Sequence, residues 1–98
     1  MEFLQILEFQ TSHLKEVMAL DKKWREETEG KRTATSMTIT QDRDKPGTYF
    51  WMIRFPSYEA AMQNNELPET QKISEEMMKL SDGPPSFRNL DVMEQRDL

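Results

Sequence analysis

The pattern of apolar residues along the chain predicts four β-strands and two helices. The first strand covers Phe3 to Phe9, with Phe3, Leu7 and Phe9 on one face and Leu4 and Ile6 on the other. A half-solvated antiparallel strand would carry mainly polar residues on its outer face, whereas this strand has large apolar residues on both faces. We therefore expect a layer of protein against each of its faces.

A helix is predicted to follow the first strand. Thr11 or Ser12 can serve as its N-cap, and Gly30 is placed to end it. Its apolar residues are three and four positions apart, and Asp21 is the charged residue that interrupts this stripe. Asp21 and Arg25 are four residues apart, in the order that favours an ion pair on a helix.

The middle of the chain predicts a hairpin of two antiparallel strands. Thr33 to Thr40 alternates and is rich in β-branched residues, and Tyr49 to Phe55 is the most apolar run in the chain. Between them, Pro46-Gly47 has the composition of a type II turn, in which glycine supplies the positive φ. The later strand places Tyr49, Trp51, Ile53 and Phe55 on one face and Phe50, Met52 and Arg54 on the other.

The last third of the chain predicts a helix and a strand. Ser57 is the expected N-cap, and Pro68 marks a break or a new first turn. Asp82-Gly83-Pro84-Pro85 ends the helix, and Phe87 to Met93 is the last strand. The order β-α-β-β-α-β predicts a single α+β domain over residues 1–98, with a ferredoxin-like four-stranded antiparallel sheet and both helices on one face.

The apolar residues on the face away from the helices predict a dimer. Leu4, Ile6, Phe50 and Met52 would otherwise form an exposed patch larger than monomers usually carry. Each buried side chain of this kind contributes roughly 1.5–3 kcal/mol, so several of them offset association costs of roughly 4–15 kcal/mol. We expect a homodimer that pairs through this sheet face.

Composition excludes several classes of function. The 98 residues include 13 Lys and Arg, 18 Asp and Glu, and no Cys, and the net charge is −5. This charge disfavours binding to nucleic acids and to anionic membranes, and no apolar run is long enough to span a membrane. Without cysteine there is no disulfide or thiol chemistry, and three glycines leave no glycine-rich phosphate loop. Because no targeting segment is visible, we expect a cytoplasmic protein.

The segment Phe55-Pro56-Ser57-Tyr58-Glu59-Ala60-Ala61-Met62, followed by Asn64 and Pro68, resembles the third strand and second helix of antibiotic biosynthesis monooxygenase-type proteins. The element order is similar to that family along nearly the whole chain. The resemblance implies a dimeric α/β barrel, in which two ferredoxin-like sheets face each other. It also implies a cofactor-independent monooxygenase that acts on phenolic ring systems in a hydrophobic cavity. The second-helix histidine of haem-degrading relatives is Asn64 here, so no cofactor is expected.

Aromatic and Met side chains between helices and sheet are expected to line a pocket for a small apolar or aromatic ligand. The candidates are Trp24, Tyr49, Trp51, Tyr58, Met62 and Met77, each of which also suits the core or the dimer interface. Asn64 can donate a hydrogen bond to a ligand carbonyl or oxyanion, or lie exposed. Arg54, on an otherwise apolar strand face, suits an ion pair across the dimer better than an anion contact.

Charged clusters outside this pocket have simpler explanations. His13 and Glu16 could bind a metal together, and Glu26, Glu27 and Glu29 could act as catalytic carboxylates or bind a cation. Such runs are usually solvated helix faces. Three functions therefore stay open: an oxygenase acting on an aromatic compound, a non-catalytic small-ligand-binding protein, and a structural dimer.

Overall fold

The computed structural model describes Met1 to Leu98 and contains seven elements in the order β-α-β-β-α-α-β. The strands are β1 (Phe3–Gln10), β2 (Ser36–Gln41), β3 (Thr48–Phe55) and β4 (Ser86–Asp91). The helices are α1 (Leu14–Glu27), α2 (Tyr58–Glu66) and α3 (Pro68–Leu80). The four strands form one antiparallel sheet in the order β2-β3-β1-β4, with the helices on one face. This is the predicted ferredoxin-like α+β fold.

The strand register separates the two apolar sets of the central strands onto opposite faces. Phe3 of β1 pairs with Phe55 of β3, and both project toward the helices. Ile6 pairs with Met52, and both project the other way. Because side chains alternate with a strict period of two, the face assignments predicted from the sequence are confirmed.

The core beneath the helices consists of two clusters. One contains Phe9, Val17, Tyr49 and Trp51, and the other contains Phe3, Phe55 and Ala61. The rings of Phe9 and Trp51 meet edge to face with their centroids 5.3 Å apart, a favourable arrangement for aromatic pairs. Only 14 of the 98 residues are buried, so each large core side chain carries much of the stability.

The start of α1 differs from the prediction. Its N-cap is His13, which makes no side-chain capping bond, whereas Thr11 and Ser12 lie before the cap. The Thr11 hydroxyl accepts a hydrogen bond from the His13 N–H at 2.9 Å and donates one to the Leu80 carbonyl at 2.6 Å. Thr11 therefore links the start of α1 to the end of α3.

The break at Pro68 produces two separate helices. Ser57 caps α2 as predicted, and its Oγ accepts the Ala60 N–H at 3.1 Å. Pro68 is the first residue of α3, where a missing N–H costs nothing and the fixed φ suits the helix. None of the three helices is long and apolar enough to cross a membrane.

The sheet face away from the helices is open. Leu4, Ile6, Phe50 and Met52 lie on it and are half-buried among their strand neighbours, and Leu90 of β4 is 40% exposed. They form an apolar strip that Glu8 and Arg88 border on the same side of the sheet, and we call this side the open sheet face.

Arg54 also lies on the open sheet face, and it has partners within its own chain. Its guanidinium donates hydrogen bonds to the carboxylate of Glu2 and to Oε1 of Gln95, the latter at 3.2 Å. The positive charge of Arg54 is therefore compensated without a second subunit.

Candidate functional site

A cavity lies between the sheet and the helices, and it encloses about 110 Å³. Its wall is mainly apolar, formed from the sheet by Leu7, Phe9, Met37, Trp51 and Ile53 and from the helices by Trp24, Ile73 and Met77. Walls of this kind bind flat, apolar molecules through contact area rather than through many hydrogen bonds.

The cavity opens between α3 and β4. Ser74 of α3 and Phe87 of β4 are the two exposed residues among those that line it, and Phe87 is 57% exposed. A dry cavity of roughly 150 Å³ holds one benzene molecule. The cavity is smaller than that, so it admits only part of an aromatic ligand, and the rest of the ligand would extend through the opening toward Phe87.

Asn64 brings an amide to this apolar space. It lies on α2, is 5% exposed, and its Oδ1 accepts the Thr33 N–H at 3.4 Å. That hydrogen bond orients the side chain and leaves its NH₂ group free to donate to a ligand oxygen. A donor held in an apolar cavity stabilises negative charge more than the same donor does in water.

Asp21 is the one buried charged residue of the chain, and it also lines the cavity. Its Oδ2 accepts a hydrogen bond from Arg25 Nε at 3.1 Å, whereas Oδ1 receives none. Burial raises the pKa of Asp21 above its ordinary value, and the positive charges of Arg25 and Arg32 oppose that rise. The cavity thus contains one carboxylate whose ionisation costs more free energy than it would in water.

We expect Asp21→Asn to raise the melting temperature by a few degrees near pH 7. Because the folded pKa of Asp21 lies above the unfolded one, its contribution to stability is complete at acid pH and is lost as pH rises through the folded pKa. Asparagine is neutral throughout, so the advantage of the variant should shrink as pH falls toward about 4. Thermal unfolding measured from about pH 4 to about pH 8 by circular dichroism tests this.

Asp44→Asn, at an exposed turn, is the matched control and should show no such pH dependence. An Asp21→Asn protein less stable than its parent at neutral pH would mean that the ion pair with Arg25 outweighs the cost of burial.

Trp24 is held on the helix side of the cavity by two contacts. Its Nε1 donates to Thr70 Oγ1 at 2.9 Å, and the Arg32 guanidinium lies 5.9 Å from its ring centroid. The hydrogen bond joins α1 to α3 across the cavity. Trp51 forms the sheet side, and its Nε1 is buried without an acceptor, a state that costs free energy.

Four of the seven residues expected at a pocket lie together on this cavity, namely Trp24, Trp51, Asn64 and Met77. Tyr49, Tyr58 and Met62 do not line it. Tyr49 packs in the core against Phe9, and Met62 packs against the Phe3 and Phe55 cluster under α2. Tyr58 is 51% exposed and contacts Phe3 edge to face at 5.5 Å.

Asp21 was not among the residues expected at the pocket. Its signal in the sequence is a charge on an otherwise apolar helix stripe, a position that demands a partner or a function. Ser74 and Phe87, at the mouth, have no such signal, because a serine on a helix and a phenylalanine on a strand are common anywhere on a protein.

The charged clusters outside the cavity stay solvated. His13 Nδ1 and Glu16 Oε2 are 4.0 Å apart, and more than half of each side chain is exposed. Glu26, Glu27 and Glu29 are exposed as well. No three His, Asp or Glu side chains come together in a geometry that could hold a metal ion.

No family model matches the sequence, and no curated protein matches it. Several solved structures share its fold. A putative antibiotic biosynthesis monooxygenase from Caulobacter crescentus is 12% identical, with 95% of this chain and 91% of that chain covered and a TM-score of 0.82. SnoaB, a cofactor-independent oxygenase from Streptomyces nogalater, is 13% identical, with coverage of 96% and 95% and a TM-score of 0.80.

A conserved protein from Methanosarcina mazei is 14% identical, with coverage of 91% and 90% and a TM-score of 0.80. These likenesses extend over nearly the whole chain and establish the ferredoxin-like fold that antibiotic biosynthesis monooxygenase-like proteins share with it.

Proposed function

We propose that this protein is a cofactor-independent monooxygenase-like enzyme that acts on a small hydroxylated aromatic compound. The supporting observation is the cavity, whose wall is aromatic and aliphatic except for a few polar groups. Two of these groups are buried and come from different helices: the carboxylate of Asp21 on α1 and the amide of Asn64 on α2. An apolar ring system with polar substituents fits that distribution.

The reaction requires little chemistry from the protein. An electron-rich hydroxyaromatic that loses a proton becomes an anion, which can pass an electron to dioxygen and then combine with it. One ring C–H becomes C=O as the hydroxyl is oxidised, one dioxygen is consumed, and one water is released. The protein would exclude bulk water, hold the ring, and stabilise the anion through the Asn64 amide. The similarity in fold to SnoaB, a cofactor-independent oxygenase, favours oxygen chemistry over other uses of the cavity.

Binding can be followed with the chain's own fluorescence, because both of its tryptophans, Trp24 and Trp51, line the cavity. We expect dihydroxynaphthalene, a two-ring probe, to quench this emission. Ser74→Phe would place a ring across the mouth and should weaken binding by about tenfold or more, equivalent to about 1.4 kcal/mol. Met78→Phe, on the same helix but 57% exposed and away from the cavity, is the matched control and should bind as the parent does.

If Ser74→Phe and Met78→Phe bind the probe equally well, the cavity is not the binding site. Turnover is tested separately with an oxygen electrode and the absorbance of the hydroxynaphthoquinone product, which should appear in equal amounts to the dioxygen consumed. Binding without oxygen uptake would favour the second candidate, a non-catalytic ligand-binding protein that uses the same apolar cavity.

The chain is further proposed to act as a single domain that forms a homodimer through the open sheet face. Leu4, Ile6, Phe50 and Met52 form an apolar strip along the two central strands, and no element of the chain packs over it as the helices do on the other side. A second copy supplies a matching surface by symmetry. Light scattering at micromolar concentration should give twice the mass of the chain.

Lack of cysteine favours a reducing compartment, and we propose the cytoplasm.

A further inference from the structure

We propose that Asp21 is the general base of the cavity: its Oδ1 accepts the hydroxyl hydrogen of the bound aromatic compound and takes up that proton. This inference rests on the proposed function, because it needs a hydroxylated aromatic ligand in the cavity. It assigns the proton transfer to one atom of one residue.

Elimination within the cavity selects Asp21. Among the residues that line the cavity, it is the only one with a titratable side chain; the other polar members are serine, threonine, asparagine and glutamine. The remaining carboxylates and the single histidine lie elsewhere on the chain. A proton that leaves a ligand in this space therefore has one protein acceptor available without passing through the mouth.

The hydrogen bonds of Asp21 leave one oxygen for a ligand. Arg25 Nε donates a hydrogen bond to Oδ2 at 3.1 Å and holds the carboxylate in place, whereas Oδ1 accepts no hydrogen bond from the protein. The side chain is only 4% exposed, so bulk water does not freely supply that hydrogen bond. A carboxylate oxygen at the wall of a mainly apolar cavity is poorly solvated, and a ligand hydroxyl would give it a hydrogen bond on binding.

The charges around Asp21 suit a base that must be ionised before the ligand arrives. Arg25 on the same helix and Arg32 in the segment after it are the charged groups that act on it, and both favour the carboxylate. From α2, α3 and the sheet, the cavity residues that face it are uncharged. Burial meanwhile raises the pKa of Asp21, which brings it closer to that of a phenol and makes it a stronger base.

The step balances without any other group. The O–H bond of the ligand breaks, an O–H bond forms on Oδ1, and the electron pair stays on the ligand oxygen and spreads into the ring. Dioxygen then adds to the electron-rich ring, and the proton returned by Asp21 completes a ring hydroperoxide. The ring C–H and O–O bonds then break, which leaves C=O on the ring and releases the second oxygen atom as water. Arg25 touches only the carboxylate, so it is a positioning residue.

The first test compares the parent with Asp21→Asn, using dihydroxynaphthalene as the probe. We expect fluorescence quenching to give dissociation constants within about threefold of each other, whereas oxygen uptake falls by about a hundredfold or more, the usual loss on removing a general base. The parent rate should also fall at acid pH as Asp21 is protonated, and the variant should lack this acid limb. Equal rates for the two proteins would overturn the proposal.

Arg25 variants separate a base from a merely structural carboxylate. Arg25→Met removes a positive charge beside Asp21, so the acid limb of the rate should move to higher pH, and Arg25→Lys should restore it toward the parent. An acid limb that stays in place in Arg25→Met would contradict the assignment. Circular dichroism confirms that each variant is folded.

A binding experiment distinguishes failure of this inference from failure of the proposed function. Naphthol carries a hydroxyl and naphthalene does not, so the parent should bind naphthol about tenfold more tightly, and Asp21→Ala should lose most of that preference while still binding naphthalene. If both proteins bind both probes with the same preference, the cavity function stands and the role of Asp21 is wrong. If neither probe binds the parent, the proposed function itself fails, and the inference fails with it.

Discussion

Phe55→Ala is expected to lower the free energy of unfolding by about 3–5 kcal/mol, the cost of removing a phenylalanine from a packed core. Phe55 has no exposed surface, pairs with Phe3 in the sheet register, and packs against Ala61 of α2. Its removal leaves a cavity between the sheet and α2, which adds to the lost burial of the ring. A small domain has only about 5–15 kcal/mol in total, so the variant should lose a large fraction of its stability.

Urea unfolding followed by circular dichroism measures this loss, with Phe87→Ala as the matched control. Phe87 is the same residue type on the same side of the sheet, but it is 57% exposed at the cavity mouth. Its truncation should change the free energy of unfolding by less than about 1 kcal/mol. Equal losses in the two variants would mean that the stability of this fold does not come from the clusters under the helices.

Met52→Asp is expected to convert the proposed dimer into monomers. Met52 lies near the middle of the open sheet face, between Ile6 of β1 and Thr38 of β2. In a dimer through this face, each copy would bury a carboxylate, and Arg54 on the same face is already paired with Glu2. An uncompensated buried charge costs about 3–5 kcal/mol. The dissociation constant should therefore rise by at least about a thousandfold, which sedimentation velocity detects as a change from twice the chain mass to the chain mass.

Met78→Asp is the control for this experiment. Met78 is 57% exposed on α3, in the helix layer, so the same substitution there should leave the dimer intact. The monomer of Met52→Asp should keep its circular dichroism spectrum, because its own core lies on the other face of the sheet. A parent protein that is already monomeric at micromolar concentration would contradict the proposed assembly.

Local chemistry determined much of the fold. Strand side chains alternate strictly, so the sequence alone separates Phe3 and Phe55, under the helices, from Ile6 and Met52, on the open sheet face. Ser57 and Pro68 mark helix starts because their chemistry acts on the adjacent backbone only. The prediction that Thr11 or Ser12 caps α1 was wrong because it considered only the adjacent backbone. Thr11 instead donates a hydrogen bond to the carbonyl of Leu80, which is distant in sequence.

The sequence predicted only some of the residues that line the candidate site. The sequence predicts that aromatic and Met residues line a pocket, but their spacing does not show at which end of the sheet the helices leave a cavity. In the structure α2 packs against the end of the sheet that contains Phe3 and Phe55, where Met62 is partly buried against these rings. The cavity lies between Trp51 of the sheet and residues of α1 and α3. Asn64 lines this cavity because it lies on the buried face of α2, which begins at Tyr58.

The sequence by itself determined the element order, the two faces of the central strands, and the absence of thiol chemistry, since each depends on residue type and on period along the chain. Only the tertiary structure decided that Asp21, a charge on an apolar stripe, has one oxygen held by Arg25 and the other left without a donor at a cavity wall. The physical reason is that periodicity assigns a side chain to a face, whereas the space and partners it finds there depend on how separate elements pack.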